Sequence, residues 1–155
     1  MQTRILPLRD RPDALAQVSA WQFAEWGYLY PEDTAETWQR ELARQVGGDG
    51  IPTVLLAVDA TGQPVGTASL IEHDIDEDPR TPWLASVYVA PPARRRGIAS
   101  RLVGAAERLA VRFGVGRLYL FTSKQERLYA GLGWQKLERR DYRGEMIQVM
   151  EKALG

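Results

Sequence analysis

Seven consecutive residues, Arg94-Arg95-Arg96-Gly97-Ile98-Ala99-Ser100, stand between a β-branched run ending at Val89 and a segment of helical periodicity. The first amides of a helix have no partner within it and carry the positive end of its dipole, so a phosphate set against them gains hydrogen bonds and dipole stabilisation together. Gly97 lets a ligand approach the main chain. Arg94, Arg95 and Arg96 bring guanidinium groups that grip phosphate oxygens in pairs to the same place. The predicted ligand is a nucleotide diphosphate; a solvated, arginine-rich helix start is the alternative. The spacing excludes two common phosphate loops: G-x-x-x-x-G-K-[ST] is absent, and the dinucleotide fingerprint needs three glycines where this turn has one.

Composition removes other chemistries. The 155 residues, 45% of them hydrophobic, suffice for one core and predict a single domain over 3–154. No cysteine is present, which excludes disulfides, thiolate metal sites and a cysteine nucleophile, and with His73 the sole histidine no metal is expected. No stretch approaches the apolar run of a membrane span and the start lacks a signal-peptide layout, so no membrane partner is expected and the cytoplasm is the expected compartment. Twenty basic against twenty acidic residues give no global field to draw in nucleic acid. Charge is local instead: arginines crowd 94–101, while Glu72, Asp74, Asp76, Glu77 and Asp78 form an acidic stretch upstream. Such a chain can hold an anionic cofactor at one end of a groove and a cationic acceptor at the other, or the acidic stretch is a solvated loop.

The elements that must position these residues follow from periodicity. A strand is predicted over 4–8, then a helix from Pro12 to Gly27 with Leu15, Val18, Phe23 and Trp26 loosely on one side. A second helix over 31–46 places Trp38, Leu42 and Val46 in line and exits at Gly47-Gly48. Strands over 53–58 and 65–71 flank a hairpin turn, and a third covers 83–89. After Gly97 comes the cleanest amphipathic helix, with Ala99, Leu102, Val103, Ala106, Ala110 and Phe113 on one face and Arg101, Glu107, Arg108 and Arg112 off it. A strand over 118–122, a short helix over 124–132 closed by Gly133, and strands over 134–142 and 146–152 complete the chain. The order β-α-α-β-β-β-α-β-α-β-β predicts an α/β (α+β) fold with a mixed, mostly antiparallel sheet of about seven strands and helices on both faces.

Two motifs carry a resemblance. Arg94-Arg95-Arg96-Gly97-Ile98-Ala99 matches [RQ]-x-x-G-x-[GA], and Leu128-Tyr129-Ala130-Gly131-Leu132-Gly133-Trp134 matches L-Y-x-x-[LF]-G-[FW]. In this order and setting the chain resembles the GNAT N-acetyltransferase family over nearly its whole length. The run 82–89 and Leu132-Gly133-Trp134 are also similar to the branch that includes the actin N-terminal acetyltransferase. The family resemblance implies acetyl-CoA as co-substrate, with the pantetheine arm on the backbone of Val87, Tyr88 and Val89 and the pyrophosphate at 94–100. It implies that Tyr129 donates a proton or hydrogen bond to the departing thiolate; a phenol near ~10 against a thiolate near ~8.5 climbs about 2 kcal/mol. A buried packing tyrosine is the alternative.

Many relatives carry a glutamate base on the strand before the cradle, but 83–87 offers no carboxylate and Ala85 lies near where one would be. Glu72, His73 and Asp74 are the substitutes, with Glu25 a further one. Trp26, Tyr28 and Tyr30 fall where the family's early helices overhang the acceptor. Freeing an α-amine of pKa ~8 at pH 7 costs roughly 1.4 kcal/mol against about 4.6 for a lysine-type amine near ~10.4, so a weak base favours a peptide N-terminus or another low-pKa amine. The expectation is an acetyl-CoA-dependent N-acetyltransferase, monomeric or homodimeric. A non-catalytic acyl-CoA sensor on the same fold is the alternative.

Overall fold

The computed structural model describes residues 2–155. Strand β1 (Arg4–Pro7) leads through two 3-10 turns to α1 (Leu15–Trp26), and α2 (Ala35–Gln45) precedes β2 (Thr53–Val58), β3 (Pro64–Ile71) and β4 (Trp83–Val89). Then come α3 (Ile98–Arg112), β5 (Arg117–Thr122), α4 (Glu126–Gly131), β6 (Gln135–Tyr142) and β7 (Glu145–Ala153). The strands form one seven-stranded sheet in the order β1-β2-β3-β4-β5-β7-β6. Every neighbouring pair is antiparallel except β4 and β5.

Alternation along β2 shows how the layers stack. Val54, Leu56 and Val58 pack with Val18 of α1 and Leu42 of α2, whereas Leu55 and Ala57 join Leu102, Val103 and Ala106 of α3 on the opposite face. A strand covered on both sides reads as a continuous apolar run, and all six β2 residues are buried. A third cluster, Ile75, Trp83, Tyr142, Ile147 and Val149, lies at the sheet end where β7 and β6 meet the β3–β4 loop. Among the described residues no helix is long and apolar enough to cross a membrane.

Several boundaries differ from the periodicity. Residues Pro12–Ala14 form a 3-10 turn and α1 begins at Leu15. The second helix starts at Ala35 and not at 31, because Thr34 caps it: its hydroxyl accepts from the Thr37 amide at 3.1 Å, and Thr37 Oγ1 accepts from the Thr34 amide at 2.8 Å. Phe23 and Trp26 are half-buried rather than core, since the buried line of α1 runs Val18 to Gln22. Leu8 leaves β1 for a 3-10 turn, and α4 is shorter than the run 124–132.

Two irregularities shape the site. Strands β4 and β5 share one register pair, Trp83 with Tyr119, and diverge beyond it, so the backbone of β4 from Leu84 onward is not covered by β5. Within β4, Ser86 adopts φ 56° and the register against β3 slips between the Thr67–Tyr88 and Ser69–Ala85 pairs. This bulge sets two residues, Ser86 and Val87, against Ala68 and turns main-chain groups away from the ladder.

Candidate active site

A groove of about 1650 Å³ opens where β4 and β5 part. It runs from the start of α3, past Tyr129, to the loop after α1 and the β6–β7 turn. At one end, Ala90 to Gly97 leave β4 through a 3-10 turn at Pro91–Ala93, and Gly97 caps α3 in a left-handed conformation, φ 75°. A Cβ there would meet no protein atom within 4 Å, so the space over the first turn is open. The glycine serves the backbone angle and the ligand's approach together. No acidic residue stands in that first turn to compete for its amides.

The arginine triplet divides. Arg94 folds back on the strand, its Nε donating to Val89 O at 2.8 Å and its guanidinium lying 5.4 Å from the Tyr88 ring centroid. Arg95, in a left-handed conformation (φ 64°), is exposed on the groove, which Gly97, Ile98, Ala99 and Ser100 also line. Arg96 lines a smaller cavity behind the turn, beside Trp21 and Pro92. Val87, Tyr88 and Val89 all line the groove. Trp21 and Trp26 pack on Tyr88 with centroids 5.5 and 6.3 Å away, so α1 braces the strand that carries the exposed backbone.

Tyr129 stands midway along the groove. Its ring is buried edge-on against Trp134, centroids 6.3 Å apart, while its hydroxyl makes no hydrogen bond to the described residues. Burial pushes its phenol up to about 12. The hydroxyl is a neutral donor with its capacity unspent. Trp134 is fixed in turn: its indole N–H donates to Glu107 Oε2 at 3.1 Å, and Lys152 Nζ bridges Glu107 Oε1 and Leu132 O, each at 2.8 Å.

The three consecutive base candidates separate. Glu72 is exposed and lies off the groove; His73 is exposed on its rim; Asp74 lines it and is half-buried. Desolvation, with Asp76 nearby as a lesser cause, pushes the Asp74 carboxyl up to about 8. A carboxyl there changes protonation near the pKa of an α-amine. Glu25 is exposed on α1, also at the groove.

Trp26, Tyr28 and Tyr30 line the far end. Tyr28 is 61% exposed and its hydroxyl donates to Glu145 Oε2 at 2.6 Å, a bond that pushes the phenol up to about 12. Tyr30 meets Trp38 and Tyr142 edge-on at 5.7 and 6.5 Å. Burial raises its phenol far above the usual range.

Three features lay outside the sequence reading. Ser86 makes the bulge, yet a serine in a β-branched run announces nothing. Gln22 is 3% exposed beneath the groove, and its Oε1 accepts the Trp38 indole N–H at 3.2 Å, a polar pair inside an apolar periodicity. Arg143, between the strands predicted over 134–142 and 146–152, reaches across to the loop after α1 and the β3–β4 loop. Its signal was an arginine where a two-residue hairpin turn favours asparagine or aspartate.

No curated protein sequence matches the chain. Among solved structures, an aminoglycoside 6'-N-acetyltransferase complexed with coenzyme A superposes with a TM-score of 0.75 at 18% identity, covering 99% of this chain and 97% of its own. A GNAT acetyltransferase from Staphylococcus aureus Mu50 gives 0.74 at 12% identity, covering 99% and 100%. One from Streptococcus pneumoniae gives 0.71 at 18%, again covering 99% and 100%. At such identities the likeness is one of fold. The sequence model of the acetyltransferase (GNAT) family matches residues 15–134, an independent finding that spans the cradle, the parted strands and the Tyr129 helix. The chain belongs to the GNAT acetyltransferase family.

Proposed function

We propose that the protein transfers an acetyl group from acetyl-CoA directly to a primary amine, a peptide N-terminus or a small-molecule amine, in the cytoplasm. The observation that carries this reading is the Tyr129 hydroxyl, unpartnered inside a groove that is continuous from a phosphate cradle to an aromatic end. The residues fit the co-substrate. Open space over Gly97, the first amides of α3 and the Arg95 side chain suit a pyrophosphate, and the backbone of Val87 to Val89, uncovered by β5 although Val89 O is taken by Arg94, suits the amides of a pantetheine arm. Bound there, acetyl-CoA supplies the activated acetyl thioester.

The chain's own residues do the rest. A main-chain amide of the bulged strand, Val87 to Val89, donates to the thioester carbonyl oxygen as charge grows on it. Asp74 takes the amine's proton as the neutral amine attacks, with His73 on the rim as the alternative acceptor. Tyr129 donates a hydrogen bond to the departing sulfur. With its phenol near 12 against a thiolate near ~8.5, complete proton transfer climbs about 5 kcal/mol, so the bond is worth most as the sulfur gains charge and the proton follows later. Trp26, Tyr28 and Tyr30 wall the acceptor.

The test is CoA release from acetyl-CoA across peptides with free N-termini, amino acids and simple alkylamines, with product mass confirming an N-acetyl group. Transfer to at least one amine is expected. Tight acetyl-CoA binding with no transfer to any amine would point to a sensor on the same fold.

A further inference from the structure

The turn between β6 and β7 consists of Arg143 and Gly144, with φ of 53° and 86°, closed by the Tyr142–Glu145 pair. Two left-handed residues in succession favour Asn-Gly or Asp-Gly, and a side chain with a Cβ is held at the first only at a cost. Arginine is there despite that cost, and its side chain is held by several contacts.

The guanidinium lies 4.4 Å from the Tyr30 ring centroid and 5.9 Å from that of Tyr142. Its Nη1 donates to Leu29 O and to Glu32 Oε1, both at 3.1 Å, and its Nη2 to Asp76 Oδ2 at 2.8 Å. The Tyr142 hydroxyl donates to the same Asp76 oxygen at 3.3 Å. Two carboxylates, a carbonyl and two aromatic rings around a cation are a recognition set for an ammonium or guanidinium group. Here the chain's own cation fills it. The set also borders the acceptor end, because Tyr30, Asp76 and Tyr142 line the groove.

The acidic stretch is largely spoken for. Asp76 and Glu32 face Arg143, Asp78 faces Arg80 and Arg140, and Glu145 takes the Tyr28 hydroxyl. Burial favours the neutral form of the Asp74 carboxyl, pushed up to about 8. Asp76, the carboxylate of the box itself, is therefore neutralised by the chain's own cation, while Glu77 and Glu145 keep their charge at the groove without a basic partner among the described residues.

We propose that Arg143 determines acceptor specificity by occupying the box that a substrate's second positive charge would need, so that singly charged amines are taken and polycationic amines excluded. This deepens the acetyl-transfer reading and rests on it for the word acceptor, but the box and its occupant can be tested without turnover. Titration calorimetry compares spermidine with propylamine on wild type, Arg143→Ala, Arg143→Gln and Arg143→Lys, with melting curves as a check on folding. Wild type and Arg143→Lys are expected to bind spermidine no better than propylamine. Arg143→Ala or Arg143→Gln should bind spermidine at least tenfold more tightly than wild type, and adding Asp76→Asn should remove the gain. Spermidine binding to wild type as tight as to the variants, or a gain that survives Asp76→Asn, would overturn the proposal.

In the transfer assay, wild type should favour propylamine over spermidine by tenfold or more in kcat/KM, and Arg143→Gln should shift the ratio toward spermidine by a similar factor. Equal changes for both amines would overturn it too. No transfer to any amine would count against the acetyl-transfer reading alone, leaving the binding comparison to decide the role of Arg143.

Discussion

Tyr129 meets Trp134 edge-on, ring centroids 6.3 Å apart, and Trp134 is itself tied through its indole N–H to Glu107 on α3. The tie links the candidate acid to the helix whose first turn forms the cradle, so one rigid element orients both. Tyr129→Phe keeps this packing and deletes one hydroxyl. We expect kcat to fall about 10²-fold or more, the usual scale for a general acid, with acetyl-CoA affinity within twofold of wild type.

Asp74 provides the pH dependence. With its carboxyl at about 8, kcat/KM for an α-amine acceptor should rise with pH through neutrality as the carboxyl and the amine both lose protons, and Asp74→Asn should leave only the shallower rise set by the amine. The same shift has a stability consequence of known sign. The folded state keeps a proton that the unfolded chain, near its ordinary 3.8, has released, so this group costs stability increasingly as pH rises from about 4 to about 8. Asp74→Asn should therefore raise Tm, by more at pH 8 than at pH 5, as melting curves at both pH values would show. A variant that loses activity and stability together would instead indicate a structural role.

The division of the arginine triplet makes a graded prediction. Arg95 is exposed on the groove, whereas Arg96 lines the cavity behind it. Arg95→Ala should weaken CoA binding several-fold more than Arg96→Ala, with the larger loss at low salt, where charge is least screened. Calorimetry at two ionic strengths measures this; equal losses would mean that both guanidinium groups reach the cofactor.

Tyr28→Phe removes the hydroxyl that joins the loop after α1 to the first residue of β7 at 2.6 Å. It should raise the acceptor KM several-fold and leave acetyl-CoA affinity unchanged, as steady-state kinetics with each substrate varied in turn would show. Equal losses for both substrates would contradict a role confined to the acceptor end.

What was legible in the sequence and what was not divides along a physical line. The cradle at Gly97 and the α4 signature are local: a strand, a turn and a helix start lie within about a dozen residues, and glycine at a left-handed position marks the joint. The seven strands followed from short apolar runs bounded by turn residues and the α3 face from its period. The bulge at Ser86 was hidden because it depends on register against β3, a partner distant in sequence. Which of Glu72, His73 and Asp74 faces the groove was equally hidden, since β3 ends at Ile71 and the loop's course then depends on packing against Tyr142 and Ile147. Gln22 broke the apolar line of α1 because its partner, Trp38, sits on another helix. Arg143 gave only the signal of an arginine in a hairpin turn, because its hydrogen-bond partners lie more than 60 positions away.

The measurement that tests the central claim most directly is single-turnover acetyl transfer by wild type and Tyr129→Phe, each with saturating acetyl-CoA and an amine that wild type accepts, followed across pH 6 to 9. Wild type should transfer at a rate that rises with pH through neutrality; the variant should bind acetyl-CoA equally well and transfer at least about a hundredfold more slowly. Equal single-turnover rates in the two proteins would contradict the account.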